Sequence, residues 1–154
     1  MTMHSYLRID GAPGSCAESG YEHWIDCDSV SWSLRGPSVP GGVSEIRFVK
    51  SRDAASTALA RLCIGASRLA GARFDFVRTG ARGERTRCYE IVLEDVLVAH
   101  VATGPRRGTE MMETVVLTFA HARLTQLTDM GEPDETFAWQ GGMRADGPAQ
   151  GASR

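Results

Sequence analysis

At 154 residues, 42% of them apolar, and with a net charge of −2, the chain has the size and composition of one domain that buries roughly two-thirds of its unfolded surface. Neither charge sign forms a long run and no apolar stretch reaches membrane-spanning length, so neither nucleic acid nor membrane is an expected partner. Cys16, Cys27, Cys63 and Cys88 show no C-x-x-C spacing and read as reduced, mostly buried small hydrophobes. The start MTMHSYLRIDG carries no basic and apolar signal segment, so folding in the cytosol is expected.

The first element is a strand, Tyr6 to Asp10, with Leu7 and Ile9 on one face. Gly11, Pro13 and Gly14 end it. From Trp24 to Leu34 the alternation changes phase: Ile25 and Cys27 hold odd positions, whereas Val30, Trp32 and Leu34 hold even ones. A bulge or bend near Asp28 and Ser29 reconciles the two halves. The loop RGPSVPGG, Arg35 to Gly42, contains two prolines and three glycines and is longer than a hairpin needs.

A strand from Val43 to Val49 leads into the one helical pattern of the chain, expected over about residues 54–65. Asp53 suits the N-cap and Gly65 the stop. Ala55, Ala58, Leu59, Leu62 and Cys63 share one face, while Ala60 and Ile64 lie on the other. Beyond the helix, Phe74 and Phe76 mark a strand and TGARGER a hairpin tip. The return strand, Thr86 to Val98, again changes phase, from Tyr89, Ile91 and Leu93 to Val96 and Val98. Two long phase-shifted strands favour a closed or strongly coiled sheet. GPRRG, Gly104 to Gly108, reads as a polar loop, followed by strand through Val115, Leu117 and Phe119 and on past Leu124. An acidic turn, Asp129 to Glu135, precedes a short strand with Phe137 and Trp139. The expected organisation is one domain over residues 1–140 and a disordered tail over 141–154.

Catalytic patterns are weak. A cysteine could pair with His4, His23, His100 or His121, with Asp26 or Asp95 orienting, but no local motif accompanies them and the histidines read as surface or edge residues. Asp26 and Asp28 share a strand face in sequence, which is the pattern of a solvated face as well as of a cation site. No histidine or cysteine pair has zinc spacing, no glycine loop has the phosphate-cradling form, and no cofactor is expected. Val77, Val92 and Val116 fall on outward strand faces, and exposed apolar groups call for a partner.

The segments YLRIDGAPGS (Tyr6 to Ser15), WIDCDSVSWSL (Trp24 to Leu34), FVKSRDAAS (Phe48 to Ser56), YEIVLEDVLV (Tyr89 to Val98) and METVVLTFAHARL (Met112 to Leu124), in that order, resemble the Hcp proteins of the bacterial type VI secretion system. The family's usual aromatic near His121 is replaced here, and the acidic turn and tail after Thr128 are additional. The resemblance implies a mainly β fold: a small antiparallel β-barrel with one flanking helix. It also implies a non-enzymatic subunit of homo-hexameric rings, stacked into the inner tube of a contractile machine and secreted through it without a cleaved signal. The partners it implies are further rings, a spike protein at the tip, the contractile sheath, and small effectors in the lumen.

On that resemblance, Arg35, Pro37, Ser38, Val39, Pro40, Gly41, Arg106 and Arg107 are ring-stacking candidates. Ala60, Ile64, Val77, Val92 and Val116 are inter-subunit candidates. Two competing expectations are a small-ligand barrel with a cavity between Trp32, Phe74 and Phe76, and a cysteine-dependent enzyme centred on Cys63 or Cys88.

Overall fold

The structure is a computed structural model that describes residues 2–36, 38 and 44–140. The elements run β1 (Thr2–Ile9), β2 (Ile25–Cys27), β3 (Ser29–Ser33), β4 (Glu45–Ser51), α1 (Ser56–Gly65), β5 (Leu69–Thr79), β6 (Arg85–Arg107), β7 (Glu110–Leu127) and β8 (Pro133–Gln140). Residues 141–154, the expected tail, lie outside the described residues, as do Pro37, Val39, Pro40 and Gly41.

Every strand pairing is antiparallel, in the order β2-β1-β5-β6-β7-β4-β3, with β8 added on β7. The two ends of that order are neighbours in the chain, because only Asp28 separates β2 from β3. The amide of Asp28 donates to the carbonyl of Val49 at 2.7 Å, tying the break to β4. One strand region thus leaves β1 and joins β4, and the sheet must curl for both pairings to hold. The odd-to-even phase change read from Ile25, Cys27, Val30 and Trp32 is this switch of partner.

The second phase change is shared by two strands. In β6, Leu93 and Val96 are both fully buried with exposed Glu94 and Asp95 between them; in β7, Ala122 and Phe119 are buried opposite them. Asp95 takes a left-handed conformation, φ 57°. The inner faces of both strands therefore rotate together while the register Leu93 to Ala122 and Val96 to Phe119 is kept. The core inside the curl is built on Leu7, Ile25, Ile46, Phe48, Phe74, Ile91, Leu117 and Phe119, with Leu59 of α1 closing it.

Several expectations are corrected. The helix begins at Ser56 with Ala55 at the N-cap, and Asp53 acts two residues earlier, where its Oδ1 accepts from the Ala55 amide at 2.9 Å. The left-handed residue that ends α1 is Ala66, φ 50°, rather than Gly65. GPRRG is not a loop: β6 continues through Arg107, and a two-residue turn at Gly108 and Thr109 returns the chain to Glu110. The ladder slips between Thr103 and Arg106, around Pro105, which has no N–H to donate.

Val77 and Val116 are 2% and 6% exposed and offer no surface to a partner. Alternation marks the outer face correctly, but that face is covered. Val77 stands in the ladder between His4 and Arg87, and Val116 between Arg47 and His100.

Candidate functional site

β4 alternates Ile46, Phe48 and Lys50 toward the core, so the only lysine of the chain is carried inside, with 0% exposure. A buried ammonium is costly unless paired. Here Nζ lies 2.8 Å from Glu113 Oε1 on β7 and 2.7 Å from Asp53 Oδ1, and donates to Ser56 Oγ at 3.2 Å. Ser56 Oγ in turn donates to Glu113 at 2.9 Å and accepts from the Asp53 amide at 3.0 Å. Two carboxylates, one ammonium and one hydroxyl thus pin the first turn of α1 to β4 and β7. Sequence reasoning missed this clamp, although Lys50 continues the Ile46 and Phe48 phase.

With its first turn pinned and Ala55 and Leu59 buried, α1 turns Thr57, Ala60, Arg61 and Ile64 outward. Ala60 is half-buried, whereas Ile64 is 88% exposed. Val92, the third remaining inter-subunit candidate, is half-buried on the outer face of β6.

A second layer lies over the outer face of β1 and β5. Tyr21 stacks on Tyr6 with ring centroids 4.3 Å apart, and its hydroxyl donates to Asp75 Oδ2 at 2.7 Å. Arg73 Nε donates to the other oxygen of Asp75 at 3.0 Å, and Arg85 donates to the Tyr6 hydroxyl at 2.8 Å. Burial, followed by the Asp75 hydrogen bond and charge, pushes the Tyr21 phenol well above its ordinary value. Burial likewise raises Tyr6. Beside this layer an open cleft of about 670 Å³ is lined by His4, Tyr6, Cys16, Glu18, Asp26 and Arg85, among others. Burial raises the Asp26 carboxyl, His4 opposes the shift, and Asp28 adds to it.

The chemistry weighed from sequence is dispersed by the fold. Asp28 sits at the β2–β3 break and pairs with Arg107 at the β6–β7 hairpin tip, so it does not share a strand face with Asp26. His4, His23, His100 and His121 are all exposed, and burial pushes the Cys27 thiol far up, away from a reactive thiolate. Cys63 packs half-buried on α1, and Cys88 points its sulfur at the Thr86 carbonyl, 3.6 Å away. Among the described residues no three His, Cys, Asp or Glu side chains are grouped to hold a metal ion. Trp32, Phe74 and Phe76 pack on one another, with Phe76 centred 5.6 Å from Trp32 and 6.3 Å from Phe74, filling the place where a ligand cavity is expected. Of the stacking candidates that are described, Arg35, Ser38, Arg106 and Arg107 are exposed.

The family model described as "Type VI secretion system effector, Hcp" matches residues 6–126. The chain belongs to the Hcp family. Its fold is that of Hcp1 from Salmonella typhimurium, at 20% identity over 91% of this chain and 95% of that one, with a TM-score of 0.78. A type VI secretion system effector from Yersinia pestis aligns at 18% identity over 88% and 98% of the two chains, TM-score 0.74. Secreted protein Hcp3 from Pseudomonas aeruginosa aligns at 18% identity over 90% and 98%, TM-score 0.73. A search of curated protein sequences finds no match. Among the described residues of this Hcp chain no helix is long and apolar enough to cross a membrane.

Proposed function

We propose that this Hcp chain is a structural subunit of the inner tube of a type VI secretion machine. It closes into homo-hexameric rings with an open centre. The rings stack, carry small effectors in the lumen, meet a spike at the tip and a sheath outside, and leave the cell on contraction. The observation that carries the reading is the family match over residues 6–126 on a fold that aligns nearly end to end with Hcp1 and with secreted protein Hcp3. The exposed Ile64 on a helix whose other face packs against the core supports it, since a ring gives that side chain a neighbour to bury it.

Arg35, Ser38, Arg106 and Arg107, with the undescribed residues 37 and 39–41, are proposed to meet the next ring. Deleting Val39 to Gly41 is expected to leave rings intact and weaken stacking, and rings that stack unchanged overturn that role. Negative-stain microscopy of the purified protein tests the main reading: rings with an open centre are expected, and a clean monomer overturns it. Cys63→Ser and Cys88→Ser are expected to leave assembly and secretion unchanged.

A further inference from the structure

The β6–β7 ribbon is longer than its neighbours on both sides. β5 pairs with β6 only from Arg85 to Val96, and β4 pairs with β7 only from Met112 to Thr118. Each strand is left with a stretch of free edge, and the two stretches lie at opposite ends of the ribbon. α1 packs on β6, and the chain leaves it directly into Leu69, the partner of Val96. The stretch of β7 beyond Phe119 takes β8, with Leu124 opposite Phe137. α1 therefore runs from Glu113 on β7, where its first turn is pinned, toward Leu69 beside β6, whereas β8 lies on the far stretch of β7.

Each of these additions leaves apolar side chains in solvent. On α1 it is Ile64, 88% exposed. On β8 and the turn before it they are Met130, 85% exposed, and Phe137, 47% exposed and stacked on Trp139. Their charges are opposite in sign. α1 carries Arg61, one turn before Ile64, and no acidic residue. From Asp129 to Gln140 the chain carries Asp129, Glu132, Asp134 and Glu135 and no basic residue. Arg78 occupies Asp129 at 3.3 Å, and Glu132, Asp134 and Glu135 stand exposed.

We infer that the Ile64 face of α1 docks on β8 and its acidic turn in a second copy of this chain. The inference rests on the ring reading and names the two surfaces that meet in it. Two different, complementary patches on one molecule make a head-to-tail contact, which closes into a ring when successive copies are related by a fixed rotation. Ile64 is covered by Met130 and Phe137 of the neighbour, and Arg61 faces Glu132, Asp134 and Glu135, which makes the contact weaken with salt. β8 pairs with β7 along one side only among the described residues, so a neighbour seated there also shields a strand edge.

The test is disulfide mapping of the full chain carrying Ile64→Cys and Met130→Cys together, mildly oxidised and run without reductant, with each single variant as background for the native cysteines. A ladder of crosslinked species reaching six copies is expected from the double variant alone. Native mass spectrometry of Ile64→Asp and Met130→Asp is expected to show loss of the hexamer with an unchanged folded circular dichroism spectrum, because both side chains are exposed in the single chain. Wild-type rings together with no ladder, or with both aspartate variants still hexameric, overturn the α1–β8 contact and leave the tube reading standing. A wild-type chain without rings overturns both.

Discussion

Replacing Lys50 by methionine keeps the aliphatic stem and removes the charge, which isolates what the buried clamp contributes. Nζ sits between Glu113 and Asp53 at 2.8 and 2.7 Å with no exposure of its own. Without it, two carboxylates face one site from which water is largely excluded, and the Ser56 hydroxyl is left as their remaining donor there. Breaking a buried pair by removing one partner costs about 3–5 kcal/mol. At about 2–4 °C per kcal/mol for a chain of this size, Tm falls by roughly 6–20 °C. Glu113→Gln is milder, about 1–3 kcal/mol, because Asp53 still neutralises the ammonium. Lys50→Met with Glu113→Gln should recover part of the loss of Lys50→Met, since the second change removes one of the two unpaired charges. The assay is urea unfolding in the Ile64→Asp background, so that assembly does not add to apparent stability. A Lys50→Met loss below about 1 kcal/mol, or strictly additive costs in the double variant, refutes the clamp as an energetic unit.

Three further outcomes follow from the same geometry. Tyr21→Phe takes the phenol donor from buried Asp75 and is expected to cost about 1–3 kcal/mol by urea unfolding. The Tyr21 phenol is raised above its unfolded value near 10, so its stabilisation is complete below that pH and lost as pH rises past it. The urea midpoint should fall on titration into strong alkali, less steeply in Tyr21→Phe, and an unchanged wild-type midpoint would contradict the burial of this phenol. A Cβ on Gly14 would stand 2.4 Å from the Trp24 carbonyl oxygen and 2.7 Å from Ile25 Cα, both backbone. Gly14→Ala is therefore expected to lower stability by about 1–3 kcal/mol, read from the same midpoints. Asp95→Val forces a β-branched residue into φ 57° and should cost about 1–3 kcal/mol, whereas Asp95→Gly should not. Equal midpoints for the two variants would argue against strain at this bend.

The phase of alternating residues carried much of the fold. It located the Asp28 break and the Glu94–Asp95 rotation, because a strand that changes partner or coils must move its apolar side chains to the other parity. It put Ala55, Leu59 and Leu62 on the buried side of the helix and Ile64 outside, which the structure reproduces. It also contained the Lys50 signal, at the position after Ile46 and Phe48 in the core phase, where a charged residue type concealed a buried position. Glycine and proline were a poorer guide. GPRRG reads as a loop, yet the chain opposite supplies cross-strand partners at Thr103, Arg106 and Arg107 and the ladder passes through it.

By itself, then, the sequence determined the strand and helix periods, the points at which long strands bend, and the family, since these depend on neighbours along the chain and on the order of whole segments. Only the tertiary structure decided which outward faces are surface. Val77 and Val116 alternate as exposed residues but are buried, because their cross-strand neighbours, His4 and Arg87 for the one and Arg47 and His100 for the other, come from distant parts of the chain. The clamp of Lys50 with Glu113, and the pairing of β8 with β7, likewise join residues that only the fold brings together. Periodicity along one strand holds no information about such pairs, because each depends on the register between strands.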